Sequence, residues 1–324
     1  MGRYVLARLA SSVVVFFAVT LLVFVAFFVL PRPTALTGQH RSDPFGVHGS
    51  LLGSYGRYVW ALVRHGDLGH STLDREEVRT KLGRAAPVTV SLVVGGTIVW
   101  LAIALPIGLA AALRPRSLLD RGGTVFVLVG LSLHPVWLSL VLSYVFGRSL
   151  HVLPPAGYCS IANVSTGCDG LGEWAYHLLL PCVTFGVVNA ALFASMLRAL
   201  VVEQLGAEYV RTARAKGAGE QRVLLRHVLR HVAAPLVTML GVFLGTAIGS
   251  VVFVESAFGL PGLGGLLRQA TTRRDLPMIA GSVVCLTVVV LVLNLLVDLA
   301  YGAFDPRIRS ARSPAGSSVA LTEA

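Results

Sequence analysis

The chain has 324 residues, of which 55% are hydrophobic and only 13% are charged, and its mean hydropathy is +0.74. Soluble domains carry about 25% charged residues, so the composition excludes soluble, disordered and collagen-like proteins and indicates a polytopic membrane protein. The formal net charge of +11 favours contact with the cytoplasmic membrane face over nucleic acid.

Six apolar stretches are long enough to cross a bilayer core, which takes about 20 helical residues. They run over residues 9–30, 87–113, 124–146, 174–200, 228–254 and 278–302. The sequence therefore predicts an all-α protein with six transmembrane helices. Residues 1–30 contain Arg3 and Arg8 before the apolar run and no small-residue cleavage pattern after it, so we interpret them as a retained anchor helix.

Six spans place both termini on one side of the membrane. The positive-inside rule puts that side in the cytoplasm, because the segments that are then interior carry a denser set of cations, above all residues 198–230. Residues 31–86 then form an exterior loop. Within it, apolar residues at helical spacing predict an amphipathic helix on the outer surface, which either docks a partner protein or covers the mouths of the spans. These residues are Leu51, Leu52, Tyr55, Val59, Leu62 and Val63.

Ionisable residues are rare inside the predicted spans, where we find His134, His177 and, near the inner end, Asp298. A proton- or sodium-coupled transporter places carboxylates near the bilayer midplane, so this pattern favours a pathway whose energy comes from another chain. An intramembrane serine protease is a remote alternative, since Ser132 is too close in sequence to His134 to pair with it on one helix and would need His177.

Three smaller patterns concern helix packing, a disulfide and a candidate metal site. Gly241, Gly245 and Gly249 form a small-residue stripe on the fifth span, against which a helix of this chain or of a second subunit can pack. Cys159 and Cys168 share the second exterior loop, where an oxidising environment favours a disulfide. His227 and His231 are interpreted as an interfacial pair, so no metal site is predicted.

Residues 203–217 predict a short cytoplasmic helix that ends abruptly. Glu203 and Glu208 lie near its start, Arg214 and Lys216 lie in its last turn, and Gly217 lies where a left-handed cap is expected. A second helix follows from about Glu220, with arginines on one face that either contact anionic lipid headgroups or a partner. Two short helices that project from a membrane domain form a knob suited to a socket on a soluble protein.

The run from Tyr209 to Gly217 resembles the EAA signature of ABC importer permeases, in the form used by the family of dipeptide, oligopeptide, nickel and glutathione permeases. Three further segments resemble motifs of this family in chain order. They are GDLG-x-S at residues 66–71, VE-x-x-F-x-x-PG-x-G at residues 254–264, and DPR at residues 305–307. The general Glu-Ala-Ala pattern is replaced by Arg211-Thr212-Ala213, as is usual in the peptide branch.

The resemblance implies the type I ABC importer permease fold in a bacterial inner membrane. Residues 87–309 would form a permease core of five transmembrane helices, with a coupling loop at about 201–227, and residues 310–324 a disordered tail. The implied partners are a second homologous permease subunit, two ABC ATPase subunits, an extracytoplasmic substrate-binding protein and the lipid bilayer, with no nucleic acid.

No catalytic, metal or cofactor site is expected on this chain. Neither Lys81 nor Lys216 lies in a P-loop motif, and the resemblance places ATP and Mg²⁺ on the partner ATPases. It implies di- or oligopeptide cargo, with nickel chelates and glutathione as alternatives. The predicted ATPase-docking residues are Glu208, Tyr209, Val210, Arg211, Thr212, Ala213, Ala215, Lys216 and Gly217.

Overall fold

The computed structural model describes residues 2–26, 51–159, 168 and 170–304, and within these ranges the chain forms helices and no strands. The helices are α1 (Gly2–Phe24), α2 (Leu51–His65), α3 (Val78–Leu113), α4 (Leu118–Ser132), α5 (Pro135–Leu142), α6 (Leu171–Leu205), α7 (Glu208–Ala215), α8 (Glu220–Arg222), α9 (Leu229–Phe258), α10 (Leu263–Arg273) and α11 (Leu276–Phe304). Two π-helical segments, Ser143–Ser149 and Val223–Val228, extend α5 and join α8 to α9.

Four helical segments are long and apolar enough to cross a membrane: α3, α6, the continuous helix Glu220–Phe258, and the part of α11 up to Val297. The apolar part of α1, Arg8–Phe24, is shorter, and the predicted end of that span lies outside the described residues. Together with the α4–α5 pair, these helices follow the order of the predicted spans. The all-α, multi-pass architecture is confirmed.

The third predicted span, 124–146, is not a single helix. Residues Leu118–Ser132 and Pro135–Ser149 are bent by 105° at the break between them. Pro135 has no backbone N–H and disfavours helical geometry in the preceding residue. His134 accordingly has extended backbone angles, and its Nδ1 accepts a hydrogen bond from the Val136 amide at 3.3 Å.

The largest core lies between α3, α6 and α9. Trp100 of α3 is fully buried, and its ring makes edge contacts with Phe193 of α6 and Phe243 of α9. The backbones of α3 and α6 approach closely because of glycine. A Cβ on Gly186 would lie 2.8 Å from a Val99 methyl carbon and 3.0 Å from the Trp100 amide nitrogen.

The glycine stripe on α9 is not used for packing of this kind. A Cβ on Gly241 or Gly249 would meet nothing within 4 Å, and a Cβ on Gly245 would meet only the Asn294 side chain at 3.8 Å. The Glu220–Phe258 span is also the least buried, with 22% of its apolar window inside the structure against 61% for α6. Within the described part of the chain, the stripe therefore has one neighbour, the Asn294 side chain of α11, at an ordinary contact distance.

The amphipathic helix predicted in the first exterior loop is α2, but its buried face differs from the prediction. Tyr58 is buried and stacks near Phe24 of α1, and the Tyr55 hydroxyl donates to the Phe17 carbonyl at 3.0 Å. Val63, predicted on the apolar face, is 67% exposed. Tyr55, Val59 and Leu62 of the predicted face are half-buried, so the prediction differs only at Val63 and in omitting Tyr58. The side chains of Leu51 and Leu52 lie outside the described residues.

Several predictions fall outside the described residues. They concern residues 31–50 of the exterior loop, the DPR motif at 305–307, the tail 310–324, and the side chain of Asp298. The division of the chain into residues 1–30, 31–86 and 87–309 stays a prediction. Helix α3 begins at Val78, before the predicted start of the core.

We predict that Gly186→Ala destabilises the chain by about 1–3 kcal/mol, because the added methyl group overpacks the α3–α6 contact. Thermal unfolding of the detergent-purified subunit measures this change. Gly241→Ala is the matched control: its Cβ meets open space, so we expect no loss of stability. Equal unfolding temperatures for both variants would contradict the close α3–α6 approach.

Candidate functional site

The short helix predicted within residues 203–217 is present as α7, an eight-residue helix between α6 and α8. It begins at Glu208, and Glu203 belongs to the end of α6. The residue before α7 is Ala207, whose extended backbone allows the chain to turn after α6, and no side chain caps the helix. It ends in a Schellman motif, in which the Ala218 amide donates to the Ala213 carbonyl at 3.1 Å and the Gly217 amide donates to the Arg214 carbonyl at 2.9 Å. The abrupt end predicted from the sequence is present.

Gly217 makes this end of the helix possible. Its φ is +81°, a conformation in which a Cβ collides with the neighbouring carbonyl and which glycine adopts without that cost. A Cβ built on Gly217 meets nothing within 4 Å. The requirement for glycine therefore comes from the backbone and not from a crowded site.

The inner side of α7 rests on an apolar cluster. Val210 is fully buried, and Tyr209 and Ala213 pack against the same cluster. The cluster draws its buried members from α3, α6 and the helix that leads into α9: Ala112, Leu197, Val201, Val223, Leu224, Val228 and Val232. Since close-packed apolar side chains resist compression, α7 cannot shift without moving the ends of these helices.

This burial corrects the predicted docking set. Val210 has no exposed surface for a partner, and Tyr209 and Ala213 are half-buried. Six predicted residues are exposed and remain available: Glu208, Arg211, Thr212, Ala215, Lys216 and Gly217. The correction follows from helix periodicity, because a helix of two turns that lies on a surface must bury one side.

Tyr209 fixes the rotation of α7 about its axis. Its ring stacks on the His231 ring with centroids 4.6 Å apart, and its hydroxyl donates to the Gln204 side-chain oxygen at 3.0 Å. Burial raises the pKa of the Tyr209 phenol, so this hydroxyl stays protonated and remains a donor. His231 in turn bonds through Nδ1 to the His227 carbonyl at 2.7 Å.

A bidentate ion pair closes the turn after α7. Arg214 donates from Nε and Nη2 to the two carboxylate oxygens of Glu220 at 2.7 and 3.0 Å. The hydrogen bonds raise the pKa of Arg214 and lower the pKa of Glu220. Arg214, which the sequence assigned only to the helix end, therefore connects α7 to α8 across Gly217.

A second bidentate pair lies at the same end of the bundle and was missed by sequence reasoning. Arg198 of α6 donates to both oxygens of Asp120 at 2.7 and 3.1 Å, and the Arg116 amide also donates to Asp120 at 2.9 Å. Asp120 lies in the first turn of α4. The pair ties the α3–α4 connection to α6 next to the apolar cluster under α7. The only sequence signal was an acidic residue in a basic loop.

The end of the bundle opposite α7 contains a buried carboxylate. Glu255, at the end of α9, is fully buried and accepts hydrogen bonds from the Thr89 hydroxyl at 2.6 Å and from the Gly264 and Gly265 amides at 2.8 and 3.0 Å. These amides belong to the first turn of α10, where a negative charge is favourable. A Cβ on Gly262 would lie 2.2 Å from the Glu255 carboxylate. The VE-x-x-F-x-x-PG-x-G motif is thus a helix cap.

The GDLG-x-S segment is also structural. The Ser71 hydroxyl donates to Asp275, and the Thr72 amide donates to the same carboxylate at 3.2 Å. Asp275 immediately precedes α11 and accepts from the Met278 amide at 3.4 Å. Gly69, with φ of +78°, turns the chain toward this contact. The segment therefore ties the first predicted exterior loop to the start of the last span.

The structure pairs Cys159 with Cys168 and places their Cα atoms 5.7 Å apart, a separation typical of bridged cysteines. Cys182 and Cys285 are free, the first buried and the second half-buried. Glu173 lies near the paired cysteines.

The residues considered for catalysis bond to their own helices. The Ser132 hydroxyl donates to the Leu128 carbonyl at 2.9 Å, and His177 Nδ1 bonds to the Glu173 carbonyl at 3.0 Å. Within the described ranges these residues form no catalytic arrangement with each other.

Comparison with known proteins identifies relatives along almost the whole chain. The family described as "Binding-protein-dependent transport system inner membrane component" matches residues 104–310. The dipeptide transport system permease protein of Escherichia coli (strain K12) is 32% identical over an alignment of 337 positions, which covers 95% of this chain and 99% of that protein. A putative peptide transport system permease protein of Brucella abortus (strain 2308) is 31% identical over 319 residues, with 95% and 99% coverage. A probable peptide ABC transporter permease protein of Sinorhizobium fredii is 32% identical over 319 residues, with 95% and 100% coverage.

We predict that denatured, unreduced protein contains two reactive thiols, from Cys182 and Cys285, and that reduction raises the number to four. Alkylation followed by mass spectrometry counts them. Four reactive thiols before reduction, in protein purified without reductant, would contradict the disulfide.

We also predict that the turn after α7 loosens in acid. Arg214 lowers the pKa of Glu220, so the ion pair contributes fully above the ordinary glutamate pKa of about 4.3 and is lost as the pH falls through the lowered value. A spin label at exposed position 215, in a background lacking Cys182 and Cys285, reports the mobility of the turn. In the Glu220→Gln variant, which lacks the ion pair, the spin label should be mobile at every pH. Mobility that is independent of pH in the unmodified turn would contradict this role.

Proposed function

Since the chain belongs to the family of binding-protein-dependent transport system inner membrane components, in its peptide branch, we propose that it forms half of the translocation pathway of an ATP-driven di- or oligopeptide importer. Its relatives are ABC transporter permeases and not enzymes, and it is a multi-pass membrane protein. The other half of the pathway is a second, homologous permease subunit. Two ABC ATPase subunits and an extracytoplasmic substrate-binding protein complete the importer.

The observation that supports this most strongly is the construction of α7. The helix is buried on one side against three membrane helices and exposed on the other, where Arg211, Thr212, Lys216 and Gly217 face outward. A cleft in an ATPase that grips this exposed side moves the buried side with it, because Val210 and the cluster are close-packed. Coupling is then mechanical, and α7 acts as the link.

The open side of α9 is the surface we assign to the second permease subunit. Val242 is 66% exposed. A Cβ on Gly241 or Gly249 would meet no atom of the described part of the chain within 4 Å, and one on Gly245 would meet only the Asn294 side chain. Small residues let a second helix approach closely in a membrane, where packing and not hydrophobic burial drives association.

The cargo is a peptide in this proposal because the relatives are named as peptide and dipeptide permeases. Nickel chelates and glutathione are the alternatives within the same family. Purification of the importer with its binding protein, followed by mass spectrometry of the bound ligand, separates the three. A nickel chelate or glutathione as the bound ligand would replace the peptide assignment and leave the coupling mechanism in place.

We predict that Gly217→Val uncouples ATP hydrolysis from uptake while the chain remains in the membrane. Valine at φ of +81° is strained, so the turn and the outer side of α7 are displaced. ATP hydrolysis and labelled dipeptide uptake are measured together in proteoliposomes. We expect the ratio of uptake to hydrolysis to fall about tenfold or more, because backbone strain of about 1–2 kcal/mol at this residue weakens one docking contact by a comparable amount.

Gly219→Val is the matched control. Gly219 lies two positions away and has an ordinary φ of −66°, and a Cβ there also meets nothing within 4 Å. We expect coupling close to that of the unmodified importer. Normal uptake by Gly217→Val, or equal loss in both variants, would argue against docking at α7. Uptake that persists with inactive ATPases and an intact proton gradient would favour a secondary transporter.

A further inference from the structure

A cavity of about 440 Å³ lies between the end of α9 and α10, at the end of the bundle opposite α7. This volume is within the range of small-molecule sites, about 300–1,000 Å³. The polar residues that line it are Glu255, Ser256, Arg268, Gln269, Thr272 and Arg273. If α7 docks on the ATPases, the cavity opens toward the side from which cargo arrives.

One wall of the cavity contains a polar atom without a partner. The Ser256 hydroxyl oxygen is buried and makes no hydrogen bond within the described part of the chain. Buried polar atoms in proteins nearly always have a hydrogen-bond partner, and leaving one without a partner costs free energy. Ser256 itself is half-buried and lines the cavity, so rotation of its side chain toward the cavity would let a polar ligand there supply the missing partner.

The charged residues that line the cavity indicate which charge the ligand should carry. The one acidic lining residue, Glu255, is fully buried, and its carboxylate already accepts three hydrogen bonds from Thr89 and the α10 amides. Arg268 and Arg273 are exposed and form no ion pair with any described carboxylate. The cavity therefore offers two guanidinium groups and no free acid, which suits an anion and in particular a planar carboxylate.

We propose that this cavity binds the terminal carboxylate of a short peptide as it enters the pathway, an inference that rests on the proposed function. The terminal carboxylate is the one anionic group that all free peptides share, whatever their side chains. A site that recognises this carboxylate through two arginines and a hydroxyl accepts peptides of many sequences. A peptide with a neutral C-terminus cannot form the charge-assisted hydrogen bonds to the arginines.

The test is equilibrium dialysis of radiolabelled Ala-Ala and of its C-terminal amide against the purified importer complex without its binding protein. We expect the unmodified complex to bind the free dipeptide about tenfold more tightly than the amide, as one charge-assisted contact predicts. The double variant Arg268→Gln, Arg273→Gln should lose this preference. Arg274→Gln is the matched control, because Arg274 is exposed at the end of α10 and does not line the cavity.

Equal binding of dipeptide and amide by the unmodified complex, or no binding of either, overturns the proposal without any variant. An unchanged preference in the double variant overturns it as well. If the double variant weakens only the docking of the binding protein, the cavity receives an acidic side chain of that partner and not the peptide. ATP-driven uptake of Ala-Ala by the complete unmodified importer is measured in parallel, and its absence would count against the proposed function itself.

Discussion

The apolar contact between α7 and the membrane helices beneath it determines how a force on α7 reaches the rest of the chain. Val210 is enclosed by side chains from α3, α6 and the start of the long helix that becomes α9, and Tyr209 fixes the rotation of α7 by stacking on His231. A force on the exposed side of α7 acts on these membrane helices at once, since packed interiors have low compressibility. If an ATPase docks on α7 as proposed, loss of this contact would let α7 move without the membrane helices.

The same long helix connects the two ends of the molecule. It begins beside α7 and ends at Glu255, whose carboxylate holds the first turn of α10. Buried backbone amides need hydrogen-bond partners, and Glu255 and Asp275 are themselves buried, so their carboxylates supply the caps needed where α10 and α11 begin. The Glu255 cap also holds α10, which lines the cavity, against the end of this helix.

Sequence reasoning predicted the features that follow from local patterns and missed those that depend on contacts between distant segments. The apolar stretches predicted the helices, and Gly217 predicted the left-handed cap, because both are local properties. The burial of Val210 and the Asp120–Arg198 pair depend on which segments meet, and a single sequence does not encode this as a pattern. The break at Pro135 had a local signal, since proline disfavours helical geometry in the residue before it, yet a continuous apolar stretch predicted one span.

The buried carboxylates also bear on the source of energy. Asp120, Glu255 and Asp275 are each at most 8% exposed, and each accepts hydrogen bonds from a backbone amide at or near the start of a helix. A proton-coupled carrier must protonate and deprotonate its carboxylates in every cycle. Protonation of these groups would remove acceptors that hold helix ends in place, so structural carboxylates of this kind are poorly suited to carry the transported proton. An external energy source acting through α7 requires no such titration, and the helix caps then remain intact throughout the cycle.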